Sequence, residues 1–206
     1  MKKYLATVSV TALISVAPFA MAASSTDLTV TGTIIPNACL PTLSGNGVVD
    51  YGKISAKDLN QDTNTRLEDR TVTLSVKCDA TTTFALKGID NRIGSSNLNS
   101  MFGLGKINGT QNIGRFAVLM MSAVADGVAA QPIKSKDGQT GWHGHLLWMP
   151  GDYASVAARD DFSQPISVQD LTLELALQTY IYRADGLDLT NEVKIDGSAT
   201  LEMKYL

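Results

Sequence analysis

The sequence contains few of the residues and motifs on which most enzyme assignments depend. Among its 206 residues there are only two cysteines and two histidines. None of its serines stands in a GxSxG setting, and its glycines match neither GxGxxG nor GxxxxGK[ST]. The common nucleophilic and phosphate-binding motifs are therefore excluded. We predict a protein that is not an enzyme and that uses no cofactor and no small-molecule substrate.

Charge and hydropathy argue against two further classes of partner. The chain carries 17 basic and 20 acidic residues, and without Lys2 and Lys3 its formal charge falls from −3 to −5. A mildly acidic, mixed surface is poorly suited to nucleic acid or to an anionic membrane face. After the first 22 residues no window approaches 18 apolar residues, so the sequence predicts no membrane-spanning helix there.

The N-terminal residues are typical of a secretory signal peptide. A short basic start, Met1 to Lys3, precedes a mostly apolar stretch from Tyr4 to Phe19, and Ala20-Met21-Ala22 forms a small-x-small cleavage site. We predict a signal peptide over 1–22 and an exported mature chain of about 184 residues, which is enough for one domain.

Export determines how the two cysteines are interpreted. In an oxidising compartment a disulfide between Cys39 and Cys78 is the default expectation. It would close a loop of about 40 residues, worth roughly 4 kcal/mol in the chain-entropy model. No CxxC spacing accompanies either cysteine, so a metal site is the weaker interpretation.

Apolar and polar residues alternate along most of the chain, which is the pattern of half-buried β-strands. Gly-, Asn- and Asp-rich turns separate these segments, and neither a linker nor a repeat interrupts them. The pattern predicts a single all-β sandwich domain. The predicted strands are 28–34, 48–52, 72–78, 83–86, 115–123, 142–149, 166–182 and 199–205.

The final predicted strand has one apolar and one polar face. Ala199, Leu201, Met203 and Tyr205 alternate with polar residues up to Leu206. Since no later segment of this sequence can pair with it, its free edge is either a liability or a docking site.

Several elements together resemble the pilins, the subunits of chaperone–usher fimbriae of Gram-negative bacteria. Their order and spacing, more than any single element, carry the resemblance. A narrower similarity, to enterobacterial fimbrial-like proteins whose domain has only an unknown-function label, rests on GVVDYG, DNR, FGLG and the ending Tyr-Leu. The wider set comprises the signal peptide, VTGTIIPNAC at 30–39, VDYG at 49–52, Cys78, LALQTYIY at 175–182 and Tyr205.

The resemblance implies an immunoglobulin-like sandwich that lacks its final strand, with residues 23–33 as a donor-strand extension and 34–206 as the pilin-like domain. It implies a structural subunit of a surface fimbria, of minor or adaptor type, that supports cell adhesion. Its partners would be a periplasmic fimbrial chaperone, an outer-membrane usher and other fimbrial subunits. The strand from another molecule would complete the sheet by β-augmentation.

The resemblance also assigns roles to individual residues. Leu28, Val30 and Gly32 would be the donated strand. The terminal strand would line one wall of the acceptor groove, which also binds the chaperone, and the carboxylate of Leu206 would dock on basic residues of the chaperone. The acceptor residues are Ala199, Leu201, Met203, Tyr205 and Leu206.

Three alternatives remain open. Residues 28–34 and 199–205 could be the first and last strands of a complete sandwich. Trp142, Trp148 and Tyr153 could stack on a sugar in a secreted carbohydrate-binding module, although a sandwich core uses the same residues. His143 and His145 have a spacing used in metal sites, but no Cys, Asp or Glu lies two residues away to complete a ligand set.

Two features depart from the pilin pattern. Only nine residues separate the predicted cleavage site from Gly32, which makes a short donor arm. The region 88–165 is longer and more irregular than a minimal pilin domain requires.

Overall fold

A computed structural model describes residues 26–32 and 38–206. The chain divides into two compact units, Met1–Ile34 and Ile35–Leu206. In the first unit, residues 26–32 have no regular secondary structure, and Leu28 and Val30 are 90% and 88% exposed. The alternation over 28–34 thus does not produce a strand in its described part. The predicted signal peptide and residues 33–37 lie outside the described residues.

β-Strands are the main regular secondary structure of the second unit, as the alternation predicts. Three short 3₁₀ turns, Ser44–Gly47, Ala56–Asp58 and Ala184–Gly186, are the only helical elements among the described residues. No helix in this part of the chain has the length and apolar character needed to cross a membrane. The longer strands are β1 (Cys39–Leu43), β3 (Arg70–Thr82), β4 (Phe84–Asp90), β8 (Gly114–Ala125), β9 (Val128–Ser135), β12 (Tyr153–Ala157), β13 (Val168–Ile181) and β14 (Ala199–Tyr205).

Short strands fill the connections between the longer ones. They fall mainly within the Gly- and Asn-rich passage and the following loops. They are β2 (Thr65–Arg66), β5 (Phe102–Gly103), β6 (Lys106–Ile107), β7 (Gln111–Asn112), β10 (His143–Gly144) and β11 (Leu147–Trp148).

The longer strands form one antiparallel path of hydrogen bonds, ordered β1-β3-β13-β8-β9-β12-β4-β14. The path folds into two layers at the β8–β9 hairpin, where residues 123–125 pair with 128–130. The first layer is β1, β3, β13 and β8, and the second is β9, β12, β4 and β14. The predicted β-sandwich is confirmed.

The core lies between the layers because each strand buries one face. In β3 the buried residues are Val72, Leu74, Val76 and Cys78, as the period of two predicts. Leu171, Leu173 and Leu175 of β13 meet them from the neighbouring strand. Phe84 and Leu86 of β4 and Val156 of β12 close the core from the second layer.

The disulfide between Cys39 and Cys78 is confirmed, and it is the first residue pair of the β1–β3 ladder. It links residues 39 apart in sequence and fixes the start of β1 to the first layer. No free cysteine occurs in the described residues.

The prediction of a strand over 48–52 is wrong. β1 ends at Leu43, and a turn with left-handed Gly45 and Asn46 follows, with φ of 60° and 54°. This turn carries residues 48–52 beyond the ladder with β3, so no strand is assigned there. Gly52 at φ 65° bends the backbone again, with its N–H donating to Asp50 Oδ1 at 2.7 Å.

Candidate site: an apolar groove between two edge strands

The two long sides of the sandwich differ in how completely they are hydrogen-bonded. On one side the β8–β9 hairpin connects the layers, β10 pairs with β9, and β11 pairs with β8. On the other side lie β1 and β14, each with one neighbouring strand among the described residues. Edge strands present unpaired backbone N–H and C=O groups. The open side is therefore the place to search for a binding site.

β14 forms one wall of this open side. It pairs antiparallel with β4, from Ala199 opposite Asp90 to Tyr205 opposite Phe84. Leu201 and Met203 are half-buried and pack against the core. On the outer face Lys204 Nζ lies 4.7 Å from the centre of the Tyr153 ring.

The two edges approach each other at one end. The Cys39 backbone N–H donates to the Tyr205 hydroxyl at 2.9 Å, and the Leu206 N–H donates to the Thr83 carbonyl at 3.0 Å. This cross-link joins the start of β1 to the end of β14. It closes the open side at the disulfide end of the molecule.

Beyond this end the edges separate and leave an apolar cavity of about 270 Å³. The base of this cavity comes from the first layer, with Val72, Val118 and Leu175 among its residues, and Ala199 and Leu201 contribute from β14. A second cavity of about 640 Å³ shares Val49, Tyr51 and Ile195 with the first and extends it. We refer to the two together as the groove.

The irregular segment after β1 supplies the opposite wall. The Tyr51 hydroxyl donates to Thr179 Oγ1 at 2.9 Å, which holds residues 49–52 near β13 without a strand ladder. The guanidinium of Arg70 lies 5.5 Å from the centre of the Tyr51 ring and adds a cation–π contact. Side chains rather than backbone bonds thus position this wall.

The approach to β14 is fixed by an ion pair. Arg92 donates to both carboxylate oxygens of Asp196, at 3.0 and 2.8 Å, and also to the Asp196 carbonyl at 2.8 Å. These bonds from the Arg92 guanidinium hold the pKa of Asp196 below its ordinary value. Asp90 in turn accepts the backbone N–H groups of Arg92 and Gly103. The segment around Ile195 and Gly197, which lines the groove, is therefore held in place.

The structure brings together only some of the residues predicted for this site. Ala199 and Leu201 line the groove, Met203 packs against the core, and Tyr205 closes the groove end. Leu206 is partly exposed just beyond that end. Leu28 and Val30 are exposed in the first unit, and a side chain on Gly32 would meet no atom within 4 Å. Whether these residues act as donor and acceptor stays a prediction.

Most groove residues were missed from the sequence. Val72, Val118, Leu175 and Leu177 lie on regular strands, and their alternation predicts only that they face a core. The local sequence around these residues is the same whether the second layer covers their side chains or leaves them open to a groove. Ile195 lies outside any strand and carries no periodic signal.

Comparison with known proteins relates the chain to a family of unknown function and to two proteins of Escherichia coli. Residues 28–100 match a family model described as "Protein of unknown function (DUF1120)". "Protein GltF" of Escherichia coli (strain K12) is 26% identical over 251 aligned residues, covering 100% of this chain and 99% of that protein. "Uncharacterized protein YhcF" of the same organism is 24% identical over 227 residues, covering 91% and 94%.

These matches confirm the predicted similarity to enterobacterial proteins whose domain has an unknown-function label. The family match spans the exposed segment 28–32, β1, β3 and β4, whereas β14 lies beyond it. Neither protein's name states a fimbrial role.

Two of the three aromatic residues considered for sugar stacking are buried. Trp148 is 0% exposed, and its indole N–H donates to the Asp152 carbonyl at 3.0 Å. Trp142 is 8% exposed and packs with Ala85 and Ile133 on the outer side of the second layer. Tyr153 is half-buried beside them. The two tryptophans therefore form part of the packing and offer no sugar platform.

His143, the first residue of β10, and His145, directly after that strand, are both exposed, with ring centres 6.2 Å apart. The Leu147 N–H donates to His145 Nδ1 at 3.0 Å, so this ring nitrogen already has a hydrogen-bond partner. No group of three or more His, Cys, Asp or Glu residues with metal-site geometry occurs in the described residues.

Removing one atom, the hydroxyl oxygen of Tyr205, tests the hydrogen bond at the end of the groove. We expect Tyr205→Phe to lower the free energy of unfolding by about 1 kcal/mol, because the Cys39 N–H loses its acceptor. Urea denaturation would measure this. Tyr153→Phe is the matched control and should change stability by less than about 0.5 kcal/mol, because contacts to the Tyr153 ring are kept. An equal effect of both substitutions would contradict a role for the Tyr205 bond.

Proposed function

We propose that this protein is a structural subunit of a cell-surface fimbria, of minor or adaptor type, assembled by donor-strand complementation. The observation that carries the proposal is the groove. One side of the sandwich is continuous through the β8–β9 hairpin. The other side presents two edges, β1 and β14, which have no further strand partner among the described residues, with core residues between them. On this proposal the domain is an immunoglobulin-like sandwich lacking its final strand.

A strand from another molecule could supply the open side with a backbone partner for β14 and with side chains that fill the groove. Its backbone would pair with the edge of β14, and its alternate side chains would fill the groove. Leu28 and Val30 suit this role, since they alternate in sequence and are exposed in a segment without secondary structure. Burying both in a second copy would contribute roughly 3–5 kcal/mol from apolar area alone.

The same groove would first be occupied by a strand of a periplasmic fimbrial chaperone. Exchange for the segment of a neighbouring subunit would follow at the outer-membrane usher, and the protein would reach the cell surface as part of a fimbrium that supports adhesion. The partners in this proposal are therefore the chaperone, the usher and other fimbrial subunits. The alternative carbohydrate-binding module loses its proposed platform, because Trp142 and Trp148 are buried.

A peptide of residues 24–34 provides a direct test. We expect the peptide to bind the purified protein and to raise its melting temperature by about 5–10 °C at 100 times Kd. Ligand at that excess contributes about 2.7 kcal/mol, and 1 kcal/mol moves a domain of this size by about 2–4 °C. The control peptide carries Leu28→Asp and Val30→Asp and should produce no shift.

Two protein variants place the binding on the groove. Leu201→Asp puts a charge among apolar groove residues and should abolish the shift, whereas Thr200→Asp changes the opposite, exposed face of β14 and should preserve it. Co-expression with a fimbrial chaperone is an independent test. There the wild type should be recovered as a one-to-one complex, and Leu201→Ser with Tyr205→Ser should abolish it. A stable monomer that binds neither peptide nor chaperone would overturn the proposal.

A further inference from the structure

The outer face of the first layer carries a cluster of aromatic, amide and guanidinium groups away from the groove. Across three neighbouring strands, Arg66 of β2, Tyr180 of β13 and Arg115 of β8 are in direct register. Tyr182 follows Tyr180 by two residues and lies on the same face. We call this cluster the tyrosine–arginine face, and its residues are Arg66, Asn97, Arg115, Gln178, Tyr180 and Tyr182.

Arg115 occupies the centre of this face. Its guanidinium carbon lies 5.3 Å from the centre of the Tyr180 ring and 5.6 Å from that of Tyr182. Its Nη1 donates to Asn97 Oδ1 at 2.8 Å. Its Nε is buried and has no hydrogen-bond partner within the described residues. Two rings and one amide thus hold a planar cation in a fixed position.

The charge of Arg115 is not neutralised by the part of the protein that the structure describes. No carboxylate there lies within ion-pair distance of it, although the chain as a whole is acidic. Arg159 likewise has no acid partner among the described residues, but it lies in a loop and no aromatic ring of that part of the chain holds it. The four remaining arginines are each paired, as Arg66–Asp69, Arg70–Glu68, Arg92–Asp196 and Arg183–Asp185.

We propose that the tyrosine–arginine face binds the carboxylate of an acidic sugar, with Arg115 as the group that pairs with the carboxylate. A guanidinium has five N–H donors, and Arg115 uses one of them in a bond to Asn97. Its planar fork matches a carboxylate and can bind it through two bonds. This inference is independent of the groove and of the proposed assembly.

The neighbouring groups favour a sugar over other carboxylates. The tyrosine rings offer apolar faces with a polar hydroxyl at the end, which suits the C–H faces and hydroxyls of a pyranose. The Gln178 amide oxygen can accept hydrogen bonds from a ligand, and the Asn97 amide nitrogen can donate them. Asp69 lies close by, where its Oδ2 accepts a hydrogen bond from Gln178 Nε2 at 3.3 Å, and its charge disfavours a dianion such as phosphate. A singly charged, hydroxyl-rich ligand fits this set of groups.

Part of the cluster also has a structural role. The Asn97 N–H donates to the Tyr182 hydroxyl at 2.7 Å, and that hydroxyl donates to Asn97 Oδ1 at 2.8 Å. These bonds attach the 91–101 loop to the first layer. These hydrogen bonds explain the positions of Tyr182 and Asn97. They do not explain why the guanidinium of Arg115, which no described carboxylate neutralises, lies close to two aromatic rings.

The test compares two sugars that differ only in the carboxylate. Methyl β-D-glucuronide and methyl β-D-glucoside would each be titrated into the purified wild-type protein, with binding followed by NMR shifts of backbone amides and of the Arg115 Nε–H. We expect the glucuronide to bind at least about tenfold more tightly, since a hydrogen bond to a charged group is worth about that factor. Its shifts should centre on Arg115, Tyr180 and Gln178, and should weaken as salt is added.

Two arginine variants distinguish binding at Arg115 from nonspecific attraction of the glucuronide to positive charge. Arg115→Gln should weaken glucuronide binding about tenfold or more, whereas Arg159→Gln removes the same charge elsewhere and should leave it unchanged. The comparison of the two sugars uses only wild-type protein, so it stands even where a variant fails to fold. Equal affinity for the two sugars, shifts away from the tyrosine–arginine face, or equal losses in both variants would overturn the proposal.

Discussion

Replacing Asp152 with alanine is expected to lower the free energy of unfolding by about 3–5 kcal/mol. The Asp152 side chain is 2% exposed, and its Oδ2 accepts from Lys134 Nζ at 2.9 Å. Lys134 is 4% exposed, and its other bond goes to the Leu147 carbonyl. The substitution would leave a buried ammonium without its counter-ion. Urea denaturation followed by tryptophan fluorescence would measure the loss.

Two further variants identify the cause. Lys136 also contacts Asp152, at 2.7 Å, but its side chain is exposed, so Lys136→Ala should change stability by at most about 1 kcal/mol. Lys134→Met combined with Asp152→Leu removes both buried charges and should recover most of the stability that Asp152→Ala loses. A loss of under about 1 kcal/mol for Asp152→Ala would show that this pair is unimportant for the fold.

This ion pair also shows a limit of prediction from sequence. Lys134 stands in the apolar segment of β9, and Asp152 follows a Pro-Gly turn; neither position has a local pattern that indicates burial. Their contact depends on the β9–β12 register, where Lys134 lies opposite Ala154. Pairing between distant strands is not encoded in a local period, so contacts of this kind could not be predicted.

The strands themselves were more accessible to prediction. The alternation in 72–78, 166–182 and 199–205 corresponds to β3, β13 and β14 because each strand has one covered face. Residues 48–52 have comparable strand-forming residues but form no strand, since the turn at Gly45 and Asn46 carries them beyond the β1–β3 ladder. Intrinsic preference therefore indicates an extended backbone, whereas a strand also requires a partner.

The residues of the candidate sites also differ in whether the sequence could predict their role. Ala199 and Leu201 were accessible from sequence because they lie on the apolar face of a strand expected at an edge. Arg115 was not, because its significance depends on Tyr180 of the neighbouring strand and Asn97 of a distant loop. A basic residue beginning an apolar strand gives no sign that its charge is left unpaired.

Removal of the disulfide, by Cys39→Ala with Cys78→Ala, is expected to lower stability by about 4 kcal/mol in the chain-entropy model, with a range of about 2–5. The bond fixes β1, whose ladder contains five residue pairs, all with β3. It also lies at the end where Cys39 contacts Tyr205, so its loss should release the edge of the groove as well. Thermal unfolding should show a melting temperature lower by roughly 8–16 °C.

A reducing agent provides the matched control for this variant. It should lower the melting temperature of the wild type towards that of the double variant and leave the double variant unchanged, since that protein has no other cysteine. In addition, binding of the 24–34 peptide should weaken in the double variant, because the groove wall that follows β1 is no longer held at its start. Hydrogen exchange should then show faster exchange in β1 than in β13, which pairs on both sides. If exchange rises equally in both strands, the disulfide stabilises the whole domain and does not specifically hold the groove edge.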